Sequence, residues 1–224
     1  QAVTFGTNGF YLPFSNDALA TSFPDSADKN ATPTDVTTQT AQKKFGTASA
    51  LCEHNNSYLQ IPQSPDWVFS GPFTIELWVR ITDTATDTTL FDHWLGSGDN
   101  RVFQITYSAT ESGRHRFQWS PNGTSAAQVN VDYTSVLAAD TWYHIAWCRD
   151  GSDNLRFFVD GTQVGSTATT VTGAAYDGDV DLTINVGGND GSDIANYMDE
   201  IRISNSARYT SNFSVETSAF TTDG

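Results

Sequence analysis

"GPFTIELWVRI", Gly71 to Ile81, is the stretch whose reading decides the fold. Side chains of a β-strand point alternately to two faces. Phe73, Ile75, Leu77, Val79 and Ile81 share one face, and Thr74, Glu76, Trp78 and Arg80 share the other. A period of two with one apolar row is the mark of a strand with a buried face, not of a helix. Similar stretches recur through the rest of the chain. "ASALCE" and "SYLQIP" precede it; "TLFDHW", "RVFQITYS", "RHRFQWS", "AQVNVDY", "TWYHIAWCR", "NLRFFVDG", "TQVGSTA", "VDLTINVG" and "YMDEIRIS" follow. Gly, Asn, Asp and Ser fill the gaps. "PNG" at Pro121 to Gly123 and "DG" at Asp160-Gly161 are turn signals, and "FVDGTQVG" reads as a hairpin. The nearest helix signal, "SVLAAD" from Ser135 to Asp140, is one turn at most. Many strands and almost no helix predict an all-β sandwich of two antiparallel sheets, each covering the apolar face of the other.

Residues 1–46 read differently. Short apolar pieces such as "GFYLPF" lead into "TSFPDSADKNATPTDVTTQTAQKKFG", which is polar and carries two prolines. The pattern predicts an N-terminal arm and long loop, packed on the sandwich or on a neighbour, with one domain over 47–224. There is no internal repeat.

Composition narrows the function classes. The 224 residues include 14 Phe, 8 Tyr and 6 Trp, enough for a large aromatic core. Eleven basic residues face 26 acidic ones, a formal net charge of -15. Phosphate backbones and anionic lipid would be repelled, so no nucleic-acid partner is expected. Three readings fit the charge: an extracellular or particle-surface setting, cation loading, and plain solvation. The window from Asp177 to Glu200 holds Asp177, Asp179, Asp181, Asp190, Asp193, Asp199 and Glu200 and no basic residue. No apolar run is long enough to cross a membrane, and no signal peptide is visible. The chain begins with Gln1, as a processed protein or a fragment would. Cys52 and Cys148 fit one disulfide or two buried thiols equally well.

"NYMDEIRIS", Asn196 to Ser204, raises a question of its own. Strict alternation puts Tyr197, Asp199, Ile201 and Ile203 on one face, so a carboxylate lands among isoleucines. An unpaired carboxylate inside a sandwich is costly. Three readings stay open: capping by backbone N–H groups, serine or arginine; calcium ligation; or a β-bulge that shifts the alternation and puts Asp199 outside. Glu200 and Arg202, on the opposite face, read as a structural pair.

"FTIELWVRI", "TWYHIAWCRDGSDNLRFFVDGTQVG", "INVGG" and "YMDEIRIS", with the upstream "KKFGTASALCEHNNSYLQIP", resemble the laminin G-like branch of the concanavalin A-like lectin/glucanase superfamily. The ending "RISNSARYTSNF" and the leading "GFYLPFSNDALA" resemble versions in tailed-phage virion proteins. The resemblance implies a concanavalin A-like jelly roll of two curved antiparallel sheets. It implies binding of glycans or proteins, often with a structural or ligand-bridging calcium, and a place on fibres, spikes or capsid decorations. Asp25 in "PDSADKN" sits where such proteins often have an Asp-Ser-Ser-Gly-type loop, though Ala27 and Asp28 replace its second serine and glycine. Asp25, Asp193 and Asp199 are the metal candidates, and calcium is the cofactor expected.

Sugar sites set an aromatic ring against C–H faces and rim it with amides and carboxylates. Trp94 in "DHWLGSGDN", with Asp92, Asp99 and Asn100 beside it, is the first candidate. Tyr176 in "AAYDGD" and Asn189 and Asp190 in "GGNDGSD" complete the glycan-binding set, with Trp67 as a further loop aromatic. Trp78, Trp142 and Trp147 read as core. Catalysis draws less support. A glycosidase needs two carboxylates about 5 Å or more apart across the scissile bond, and "IELWV" offers only Glu76. The histidines are scattered, and His115 in "RHRF" reads as an exposed strand residue. There is no phosphate loop and no nucleophile elbow. The expectation is a non-catalytic, glycan-binding module on a phage or other extracellular particle. Alternatives are a capsid or fibre protein contacting only other virion proteins, homo-oligomers included, and a glycoside hydrolase.

Overall fold

The computed structural model describes residues 9–14, 30–53, 57–85, 87–94, 99–185 and 196–220. They form β1 (Gly9–Leu12), β2 (Thr32–Thr34), β3 (Val36–Gln39), β4 (Ser49–Cys52), β5 (Tyr58–Ile61), β6 (Phe73–Ile81), β7 (Asp87–Trp94), β8 (Arg101–Ser108), β9 (Arg114–Gly123), β10 (Val129–Thr134), β11 (Tyr143–Arg149), β12 (Leu155–Val159), β13 (Thr162–Ala168), β14 (Leu182–Ile184) and β15 (Asn196–Ser204). The helical pieces among the described residues are two 3-10 turns, Pro65–Trp67 and Ser125–Ala127. "SVLAAD" is not helical.

Two antiparallel sheets result, as the alternation predicts. The first runs β13-β12-β11-β6-β15-β4-β3, with β1 beside the C-terminal half of β15. The second runs β10-β9-β8-β7-β14-β5-β2. Between them lie Phe73, Ile75, Leu77, Val79 and Ile81 from β6, Trp147 from β11, Phe157 from β12, and Phe91, Phe103, Phe117 and Trp119 from the second sheet. Phe73 stacks on Phe69 at 4.6 Å and on Phe117 at 5.9 Å, so aromatic rings join the two layers.

The segment 1–46 is not a separate arm in its described parts. β1 and β3 belong to the first sheet and β2 to the second, and Leu12, Phe14, Ala31 and Val36 join the core. Edge strands of three or four residues carry too little alternation to be legible in sequence. Trp67 is also a correction: its 3-10 turn swings the indole wholly into the core, away from any loop surface. His115 is buried, not exposed. It shares parity with Phe117 and Trp119, lies 4.5 Å from the Phe157 ring, and Nε2 meets the Ser135 carbonyl at 3.0 Å. The "DG" hairpin forms as read, with Asp160 at φ 47 and Gly161 at φ 76, the left-handed pair such a turn needs. Cys52 and Cys148 are buried thiols not joined in a disulfide. Strands β15 and β6 separate them, so about 14 Å of sheet lies between, twice the Cα reach of a disulfide.

A third layer covers the outer face of the first sheet. Residues 205–220 run back across it, bringing Tyr209, Phe213, Val215 and Phe220 onto Trp78, Ala146, Cys148 and Phe158. Beneath this strap, Glu76 accepts from Arg202 Nε at 2.8 Å and Tyr209 Oη at 2.9 Å, and meets His144 Nε2 at 3.0 Å. The outer face of the second sheet has no such cover among the described residues.

Candidate functional site on the outer face of the second sheet

Asp199 is settled by a bulge. Asp199 pairs with Trp78 and Arg202 with Glu76, so three steps on β15 match two on β6, and Glu200 takes φ 52. Met198 thereby turns into the core and Asp199 turns out under the strap. Its Oδ2 accepts from the N–H groups of Lys44 (2.8 Å) and Phe45 (3.0 Å), and its Oδ1 from that of Glu200 (2.9 Å). Burial raises its pKa to about 7 against the pull of these N–H groups, and the Glu200 charge adds to the rise. Glu200 is raised by burial too; its Oε2 accepts from Tyr11 and from the Phe220 N–H. The two readings that meet here are the bulge and the N–H cap. Three N–H dipoles aimed at one carboxylate suit an anion acceptor, and a cation seated there would face the same dipoles. Among the described residues no group of three His, Cys, Asp or Glu gathers as a metal would need. Asp25 and Asp193 lie outside the described residues, as do Asn189 and Asp190 of the glycan set.

Glu76 is the wrong carboxylate for acid catalysis. Burial alone would raise its pKa, but His144 and Arg202 outweigh it and hold the group below the ordinary range, ionised and fully covered.

The remaining candidates converge on the second sheet. Its register aligns Thr32, Gln60, Thr183, Asp92, Gln104, Gln118 and Asn130 across seven strands, one residue per strand. Their neighbours in each strand, such as Phe91, Ile105 and Phe117, point inward, so this row points outward. A second row holds Thr89, Thr106, Arg116 and Asp132, and a third Asp87, Ser108, Arg114 and Thr134. Amides link the first row: Gln104 Nε2 donates to Asp92 Oδ1 at 3.2 Å, and Gln118 Nε2 to Asn130 Oδ1 at 3.4 Å. Gln60 Nε2 donates to Asp181 Oδ2 at 2.6 Å.

Trp94 closes the rim of this face. It is the last residue of β7, half-buried, with the Arg101 guanidinium 4.6 Å from its ring centre. Arg101 Nη1 donates to Gln128 Oε1 at 2.7 Å, and Gln128 Nε2 to Asn130 Oδ1 at 2.6 Å, which ties the indole to the amide row. Asn100 Oδ1 accepts from the Asp179 N–H at 3.2 Å; Asp99 is exposed. Tyr176 packs over Gly123, which pairs with Arg101. Asp92, Trp94, Asn100 and Tyr176 therefore lie toward one end of one sheet, around Arg101 and Gln128. The sequence reading missed Gln104, Gln118, Asn130 and Gln128. Their period-two spacing was visible; their alignment across strands was not.

The arrangement defines a class first: a jelly-roll sandwich with one strapped face and one open polar face. The chain belongs to the concanavalin A-like lectin/glucanases superfamily, whose family model matches residues 53–212. A comparison with curated proteins returns no match. Among solved structures the chain is similar to the binding domain of paraclostridial mosquitocidal protein 1, with 13% identity, TM-score 0.67, and 89% of this chain covering 49% of that one. It is similar to the botulinum neurotoxin serotype G binding domain, with 14% identity, TM-score 0.64, and 89% against 48%. It is also similar to a Trypanosoma rangeli sialidase in complex with sialic acid, with 14% identity, TM-score 0.62, and 89% against 31%. The chain thus spans about half the length of the first two. At such identity these likenesses show the fold alone.

Proposed function

We propose that this chain is a non-catalytic recognition module that binds glycan on the outer face of its second sheet, with Trp94 as the aromatic platform at one end. The observation that carries the reading is the register-aligned row of amides and hydroxyls, tied to that indole through Gln128 and Arg101. Amides and hydroxyls are the partners sugar hydroxyls require, and an aromatic ring covers a sugar's apolar face. Membership of a lectin/glucanase superfamily agrees with it. The carboxylate best placed to be mistaken for a catalyst, Glu76, is ionised and sealed on the other sheet, which supports binding rather than hydrolysis.

A purely structural role draws less support, because the described parts of 1–46 are spent on this chain's own sheets. A virion or other extracellular setting is carried by the phage-like termini and the charge of -15. Calcium assistance, as part of the proposal, would draw on Asp25 and Asp193, since Asp199 is committed to N–H donors. The test is a glycan array read with calcium and with chelator, for the native chain and for Trp94→Ala. Binding lost with Trp94→Ala is expected; a folded native chain that binds nothing in either condition refutes the reading.

A further inference from the structure

The outer face of the second sheet is longer than one sugar. Away from the Trp94 end, a depression of ≈ 150 Å³ opens between β7, β8 and β9. Thr89, Gln104, Thr106, Ser108, Arg116 and Gln118 are among the residues that line it. It follows the strands away from the indole. On β8 the track runs from Arg101, beneath Trp94, to Ser108. Seven residues at about 3.3 Å each make roughly 23 Å. One pyranose ring cannot touch both the indole and the far end of such a track.

The charged groups along it are already hydrogen-bonded. Arg116 grips Asp132 through two hydrogen bonds of 2.7 and 2.8 Å. Arg114 pairs with Glu111, whereas Arg101 is held by the neutral Gln128 and Trp94 and keeps its positive charge. Asp87 accepts from Thr110 Oγ1 at 2.9 Å, and Asp92 from Gln104. Among the described residues of the track, only Arg101 at the Trp94 end lacks an anionic partner; away from it no uncompensated cation is left for a carboxylate or sulfate group, and the chain as a whole repels anions. What the track offers instead is neutral. The side-chain carbonyl oxygens of Gln104 and Gln118 accept no hydrogen bond within the described residues, because each amide makes its bond through Nε2. Hydroxyls of Thr89 and Thr106 lie in the next row.

We infer that the ligand is a neutral, linear oligosaccharide of about four units, held along β7 and β8 with one unit on Trp94 and another in the Thr106–Arg116 depression. This rests on the glycan reading above and names its substrate class. The occupant is an internal or long terminal stretch of a chain, not a single capping sugar. Anchoring at two separated points makes affinity depend on length until both are reached.

Titration calorimetry with β-linked gluco-, manno- and xylo-oligosaccharides of one to six units tests it, with sulfated heparan fragments of matching length as the anionic arm. The expected result is an affinity that rises at least tenfold between two and four units and then levels. Gln118→Ala should weaken the tetramer several-fold and a disaccharide less, while Trp94→Ala weakens both. Circular dichroism confirms that each variant is folded. Equal affinity for one unit and for four, or a tetramer indifferent to Gln118→Ala, overturns the inference and leaves glycan recognition standing. Binding of the sulfated fragments alone overturns the charge assignment. Silence toward every probe removes the glycan reading and the inference with it.

Discussion

Asp199→Asn tests the bulge and its pH dependence together. Burial lifts the Asp199 pKa from an ordinary 3.8 to about 7. A group raised in the folded state stabilises fully below its unfolded pKa, and the contribution is lost as pH climbs through the folded one. For Asp199 that window runs from about pH 4 to about pH 7. Three pH units at about 1.4 kcal/mol each put the loss on the order of 4 kcal/mol. Buried His93 and His115 slope the other way. Burial lowers each to about 4 from an ordinary 6.5. They therefore stabilise above pH 6.5, and the contribution falls away on acidification toward pH 4. The native curve alone mixes these effects, whereas the difference between native and variant at each pH cancels the histidines. Asn keeps one carbonyl for the Lys44 and Phe45 N–H groups but turns an amide toward the Glu200 N–H. That mismatch costs about 1–3 kcal/mol at every pH. Urea denaturation at half-unit steps from pH 4.5 to 8.5 reads the difference. The variant should be the less stable at pH 4.5, and the gap should close or reverse by pH 8.5. A gap that stays level across the range would show that the three N–H groups keep Asp199 ionised throughout, and the argument from burial would fall.

Two further outcomes concern the strap. Glu76→Ala leaves buried Arg202 and His144, with the half-buried Arg208, around a missing anion, a loss of about 3–5 kcal/mol. In a chain of this size that lowers the melting temperature by roughly 10 °C, read by calorimetry. Gly161→Ala forces a Cβ to 2.1 Å from the Phe213 carbonyl oxygen at φ 76, at a cost of at least about 2 kcal/mol. Hydrogen exchange should quicken at the Phe213 N–H, which donates to Gly161, and a variant with native exchange there contradicts the contact.

The candidate site was half legible. Trp94 stood out as a loop-edge aromatic among polar residues, and Asp92 and Asn100 came with it by proximity in sequence. Gln104 and Gln118 passed unnoticed because a glutamine between apolar residues is what any solvated strand face shows. Only pairing register distinguishes a scattered set from an aligned row, and register depends on which strands meet and where they slip. His115 was legible and misread: its parity with Phe117 and Trp119 already pointed inward. Trp67 was not, because a 3-10 turn redirects a side chain without any period to betray it.

Alternation from β4 onward determined the two-sheet sandwich, since an apolar face on every second residue has few places to go except against another such face. The sequence by itself also determined the turn at Asp160-Gly161. Tertiary structure alone decided that Asp199 turns outward, that residues 205–220 seal one sheet over Glu76, and that seven strands bring their amides into line. These are properties of residues far apart in the chain. A one-residue bulge, a strap and a cross-strand register each depend on distance in space, which no local period records.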